Sequence, residues 1–417
     1  MNGVARRVLL FLLPVFALGN DVARPVQSYR DFEAPPHNYK TRPPRDRFTL
    51  GMEGLQNDPR LDRSSEKAFL VSFLKILEIP VSSQLLVFST TSLQLRFISP
   101  SNPRAIYFSE DIYVGYIPGG RLEIVGVDPE LGAIFYIFDI PRNAEAIQYE
   151  RSERCMNCHA GEDTGYIPGL VAKSVIPGPG GGSLDAFRVA QSGHGIPLSN
   201  RFGGWHVTGK FDLTNHWGNL TGRFVEGSLR TFPNPPGGRF DFAKYATRTS
   251  DILAHLLHEH QVGFVNRAVE AGYRTRTALF LSEGKLTPAQ SLELDGQARI
   301  LTRYLLFADE APLPPGGITA DSVYQADFLA HRRRNAEGAS LKDLDLEMRL
   351  FKYRCSYMIY SPAFQGLPRV LKARIYNLMK QALSTDADSE FSYLPTAEKR
   401  TIRSILRSTL DDLPASW

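Results

Sequence analysis

The sequence predicts an α+β protein: an antiparallel β-rich unit that leads into a short cysteine and histidine motif, followed by a mostly helical C-terminal part. Three observations point there. Between residues 82 and 140 apolar and polar residues alternate in short runs broken by turn-forming text. At 153–161 the chain reads "ERCMNCHAG", holding two of its three cysteines. After about residue 248 apolar residues recur at helical spacing almost to the end.

Taken in order, the chain opens with Arg6 and Arg7, the apolar run "VLLFLLPVFAL" and the small-residue exit Ala17-Leu18-Gly19. That is the layout of a cleavable secretory signal over 1–19, and the run is short for a bilayer span. No later stretch is apolar enough for an integral membrane anchor. An exported protein, periplasmic and soluble after cleavage, is expected. Losing Arg6 and Arg7 lowers the formal charge from +4 to +2, too small an excess to recruit nucleic acid.

Residues 20–62 are rich in Pro, Arg and Asp and read as an extended arm, with regular structure starting after it. A mixed β-rich domain follows over 63–245. It begins with "SEKAFLVSFLKILEI", whose Phe69, Leu70, Phe73, Leu74 and Leu77 form one helical stripe stopped by Pro80. Strands are expected at "SQLLVFS", "LQLRFIS", "RAIYFS", "DIYVGYI", "RLEIVGV" and "GAIFYIF", with more strand-like text at "AFRVAQ", "GGWHVTG" and "NLTGRF".

A helical domain over 246–417 should pack on it. Thr249 or Ser250 can cap "DILAHLLHEHQVGFVNRAVEAG". Further helices fit "DGQARILTRYLLFADEA", "SVYQADFLAHRRR", "LKDLDLEMRLFKY", "PRVLKARIYNLMKQAL" and "AEKRTIRSILRSTL".

The motif carries the chemistry. Three cysteines in a chain this long are no disulfide framework. Cys-x-x-Cys-His is the attachment signature of c-type haem: Cys155 and Cys158 would bond the two vinyl groups, and His159 would ligate the iron from the proximal side. A thioredoxin-like pair would sit in a βαβ unit, a zinc knuckle needs a second ligand pair, and a simple disulfide leaves His159 without a purpose. Cys355 reads as a small buried hydrophobe.

The residue facing the iron opposite His159 would decide the chemistry. A strong side-chain ligand there makes an electron carrier, and an open position makes a haem oxidoreductase, peroxidase-like or acting on a small nitrogen or sulfur compound. His194 lies between two glycines that let backbone approach a flat cofactor, His216 stands in "TNHWGN", and His260 shares an apolar stripe with Leu253, Leu256, Leu257 and Phe264. His255 and His258 lack the spacing and general base of a zinc protease and read as a solvated pair. Arg201 is of the type that pairs with a haem propionate, and Trp205 of the type that lines a pocket, though ordinary packing explains both.

The blocks "SSQLLVFSTTSLQ", "PRAIYFSEDIYVGYI", "VDPELGAIFY", "CMNCH", "RFGGWHVTG", "HWGN", "LHEHQV", "YLLFADEAPLP" and "RLFKYRCSYMIYS", in that order, resemble an uncharacterised family of exported bacterial proteins with a single c-type haem motif. The resemblance runs from about residue 66 to the C-terminus. It implies one covalent haem c and histidines matching His159, His194, His216 and His260, which favours the last three as distal ligands. The position of His206 resembles a tyrosine in relatives, and Trp217 stands where they often carry methionine. The reading that follows is a periplasmic c-type cytochrome passing single electrons between redox partner proteins. A haem-based sensor or scaffold has no signalling text behind it.

Overall fold

Antiparallel strands build the centre of the molecule, and the helices are distributed by which face of that sheet they cover. The computed structural model describes residues 28–141, 145–186, 193–211, 216–385 and 389–417. The expected signal over 1–19 and most of "AFRVAQ" lie outside these residues.

Residues 28–45 run across the body as an arm. Tyr39 donates its hydroxyl to the Ala133 carbonyl (2.7 Å), His37 stacks on Tyr273 (4.1 Å between ring centres), and Arg42 and Arg45 both reach Glu130. The rest of the expected arm is a helix instead, α1 (Arg47–Gln56). Asp46 caps it by accepting from the backbone of Phe48 and Thr49, and Phe48, Met52 and Leu55 form its buried stripe. Gly51 and Gly54 hide this helix from a propensity reading.

The next helix, α2 (Glu66–Ile76), forms where its stripe predicts, with Ser65 accepting from Ala68 N. The strands then follow as β1 (Leu85–Val87), β2 (Arg104–Phe108), β3 (Ile112–Tyr116), β4 (Leu122–Asp128), β5 (Gly132–Phe138) and β6 (Tyr149–Arg151). After the short helix α3 (Met156–His159) come the pair β7 (Val175–Pro177) and β8 (Ser183–Ala186), then β9 (Trp205–His206). β9 joins the main sheet at its far edge, giving the antiparallel order β6-β5-β4-β3-β2-β1-β9. The expected strand "LQLRFIS" is a 3-10 turn at Leu95–Phe97 instead: Leu93 and Leu95 are exposed, so its alternation has no face to bury.

Register sorts the side chains onto two faces. On the first, Leu86, Tyr107, Val114, Ile124, Ile134 and Phe138 pack under α1 and α2. Gly126 is required there, because a Cβ would collide with the capping Asp46 carboxylate. On the second face Val87, Phe108, Tyr113, Val127, Ala133 and Phe135 meet the C-terminal helices. Each large side chain so covered contributes about 1.5–3 kcal/mol relative to exposure.

The remaining elements are β10 (Lys210–Phe211), the hairpin β11 (Leu220–Val225) and β12 (Ser228–Pro233), α4 (Ile252–Leu281), α5 (Pro288–Leu305), β13 (Ile318–Thr319), α6 (Ser322–Leu329), α7 (Pro362–Gln365), α8 (Arg369–Ala382) and α9 (Thr396–Thr409). α4 is capped by Asp251, not by Thr249 or Ser250; the Ser250 hydroxyl instead donates to the His206 carbonyl and accepts from Leu86 N. The expected helix "LKDLDLEMRLFKY" is irregular, since Asp345 accepts from Glu347 N and Met348 N, Leu346 has φ 65°, and Leu344 bridges to Phe351.

Candidate functional site

The Cys-x-x-Cys-His motif sits where the sheet ends. Ser152 N donates to the Phe135 carbonyl (2.8 Å) as the last tie to β5, and the chain then coils through a 3-10 turn (Glu153–Cys155) into α3. That single helical turn brings Cys155, Cys158 and His159 together. Cys155 is half-buried, Cys158 is exposed, and both are free thiols.

His159 is held on two sides. Its ring lies 4.4 Å from that of Phe135, and its Nδ1 is 3.0 Å from the Gly169 carbonyl oxygen. A carbonyl only accepts, so Nδ1 carries the proton. Burial lowers the ring's pKa to about 4, which keeps it neutral at pH 7 and leaves Nε2 with its lone pair. Nε2 makes no hydrogen bond to a described residue. The 169–170 loop is fixed in turn by Asn266 of α4, which accepts from Leu170 N and donates to Leu170 O at 2.8 Å each. A side chain at Gly169 would strike that amide.

The sheet beside His159 is less covered than elsewhere. On this second face Tyr113, Val125 and Phe135 stand on one cross-strand rung, and Val125 is only half-buried, as is Ile106 on β2. Next to them Arg104 donates from Nη1 to Glu123 Oε2 (2.9 Å), while Gln94 and Ser92 hold the other carboxylate oxygen. The Arg104 Nε is buried with no hydrogen-bond partner among the described residues.

His258 also faces this side. Its ring packs against Phe108 (5.3 Å), Tyr113 (5.8 Å) and Trp205 (6.0 Å), and neither ring nitrogen has a hydrogen-bond partner among the described residues. The solvated pair expected at 255 and 258 is therefore absent: both are buried. His255 is a satisfied core histidine, its Nε2 3.0 Å from the His206 carbonyl and 3.1 Å from Ser250 Oγ. His258 is among the histidines that could face the iron, but an i, i+3 histidine pair looks like a wet helix face and ranks it low, although Val262, Val265 and Val269 mark its stripe as apolar.

The three sequence-derived distal candidates are placed elsewhere. Two residues along a helix are about 200° apart, so His260 points to the side of α4 opposite His258. There His260 Nδ1 meets His194 Nδ1 at 2.8 Å, and its Nε2 meets Ser356 Oγ at 2.7 Å. His194 stacks on Tyr304 (4.1 Å) and Phe307 (4.6 Å). The structure thus brings His194 and His260 together, but under α5 rather than over the sheet with His159. His216 is half-buried in its own turn, its Nδ1 accepting from Gly218 N, beside Phe202. Arg201 is committed as well: it pairs with Glu259 (2.8 Å) and donates to the carbonyls of His194 and Ile196. Trp205 does reach His258, while its indole N–H goes to the Lys173 carbonyl.

Among the described residues no three His, Cys, Asp or Glu side chains converge as a metal site, and no helix is long and apolar enough to cross a membrane. A separate cavity of about 310 Å³ opens beyond Phe108, lined by Glu110, Asp111, Lys342 and Tyr357 among others. Four of its charges are paired, Lys342 with Glu110 and Arg47 with Asp111. No family model, no curated protein and no solved structure matches the chain.

Proposed function

We propose that the protein is a c-type cytochrome carrying one covalent haem and passing single electrons between redox partner proteins in the periplasm. One observation carries the reading: His159 presents an unprotonated, unpartnered Nε2 at the end of the turn that holds both thiols, with its Nδ1–H locked on a carbonyl. A hydrogen bond at the far ring nitrogen is the usual device for orienting a metal-binding imidazole and raising its basicity.

The residues present fit a haem in two further respects. Arg104 Nε is a buried donor without an acceptor, of the kind a propionate carboxylate would satisfy. Exposed Cys158 would leave one haem edge at the surface, as exchange of electrons with a partner protein requires.

In this reading Cys155 and Cys158 hold the group by adding S–H across its two vinyl double bonds, with no atom lost. The haem, when bound, supplies a one-electron iron couple. Phe135 and the Gly169 carbonyl fix the plane of the His159 ring, and Asn266 fixes the loop that carries that carbonyl.

The test is covalent haem in the exported protein made in cells able to attach it. A haem-staining band that survives SDS denaturation, with a mass increase of one haem, is expected. Both should vanish in the Cys155→Ala, Cys158→Ala double variant. Absence of bound haem in the unaltered protein overturns the reading.

A further inference from the structure

Resting on the haem reading above, we propose that His258 of α4 is the second axial ligand, facing His159 across the half-buried strip of sheet at Ile106 and Val125. Nothing in the spacing of the sequence singles this residue out. Four observations do.

His159 and His258 stand over the same rung of the same face. His159 packs on Phe135 of β5 and His258 between Phe108 of β2 (5.3 Å) and Tyr113 of β3 (5.8 Å), and the register runs Phe108, Tyr113, Val125, Phe135. These strands lie two to three spacings apart, about 10–14 Å. That separation spans a flat group standing on β4, the strand between them. That strand's residue on the rung is Val125, which stays half-buried where its neighbours Tyr113 and Phe135 are buried.

His258 lacks the partner that His37, His194, His255 and His260 have. His37 meets Thr277, His255 meets the His206 carbonyl and Ser250, and His194 and His260 meet each other. His258 is 6% exposed, its nitrogens meet no described residue, and unlike those of His206 they are not fully enclosed. They front a space that a ligand can enter.

His206 is the remaining buried histidine with unpartnered nitrogens, and the sheet excludes it. It pairs in register with Leu86, whose side chain belongs to the face under α1 and α2. Trp205, its neighbour in the strand, points to the opposite face and touches His258.

Arg104 lies on the same face. It follows the register of Ile106 and Phe108 on β2, and its buried Nε has no partner among the described residues. A single anionic flat ligand between the two histidines would meet Arg104 at its edge.

The experiment uses the haem-loaded full-length protein. Ferric EPR and near-infrared magnetic circular dichroism should show six-coordinate low-spin iron with two imidazole ligands, and the ferrous protein should not bind CO. In His258→Ala the haem should remain covalently attached while the low-spin signal is lost and CO binding appears. Added imidazole should restore the low-spin spectrum. His194→Ala and His260→Ala should keep the low-spin spectrum of the parent.

High-spin iron in the unaltered protein, a histidine–methionine signature, or a low-spin spectrum that persists in His258→Ala would overturn the assignment while leaving the haem reading intact. The parent spectrum decides the ligand class even if the alanine variant fails to fold. Absence of covalent haem instead removes the reading on which the assignment rests.

Discussion

The two sides of α4 carry the same residue type in opposite circumstances. Facing α5, His260 is closed into a chain with His194 and Ser356, walled by Tyr304 and Phe307. Facing the sheet, His258 is packed among Phe108, Tyr113 and Trp205 yet bonded to nothing described. A buried imidazole whose nitrogens are both engaged is a structural strut. One whose nitrogens are free has a partner still to take, and the difference separates packing from function where the sequence shows two histidines two residues apart.

The comparison breaks most sharply by removing the strut. His260→Ala leaves His194 Nδ1 and Ser356 Oγ facing a void, combining lost hydrogen bonds with a cavity, and should destabilise the fold by about 2–4 kcal/mol. Denaturant unfolding of the haem-loaded protein would measure it. A loss under about 1 kcal/mol would mean the His194 and His260 pair is not the closed unit described above.

Acid should also act on the buried histidines that hold a hydrogen bond on one nitrogen. Burial lowers His255 and His37 from an ordinary 6.5 to about 4, so the unfolded chain takes up protons first as pH falls. Their stabilisation is complete above pH 6.5 and is lost as pH drops towards 4, with a slope of about 1.4 kcal/mol per pH unit for each ring. Unfolding midpoints recorded across pH 7 to 4 should decline steadily. A flat profile would show that these rings are solvated in solution.

How much of this was legible depends on whether the signal was local. The Cys155, Cys158 and His159 turn is local chemistry, and the helical stripe of Phe69, Leu70, Phe73 and Leu74 is local periodicity; both read directly from the chain. The α+β organisation followed from the same kind of pattern. What stayed hidden is set by long-range pairing. α4 is buried nearly all round, so apolar stripes run past both His258 and His260 and neither tells which neighbour its histidine meets. The return of β9 to the edge of the sheet, which puts Trp205 on one face and His206 on the other, joins residues more than a hundred positions apart. Gly51 and Gly54 concealed α1, and the alternation of Leu and Asp around 343–346 mimicked a helix end where Asp345 builds a turn.

The smallest expected effect lies on the sheet's other face, under α2, and it sharpens the contrast because only a helix cap is touched. Ser65 caps that helix with one hydrogen bond from Ala68 N, at 3.1 Å, and Phe69, Leu70, Phe73 and Leu74 behind it are fully buried. Ser65→Ala removes the cap alone and should cost about 1 kcal/mol by thermal or denaturant unfolding. Because α2 is separated by the sheet from His159 and His258, the ligand spectrum of the haem-loaded variant should match that of the parent. A spectral change from this substitution would show that the two faces are coupled through the strands, and that the slot over Val125 is shaped by the helices beneath it.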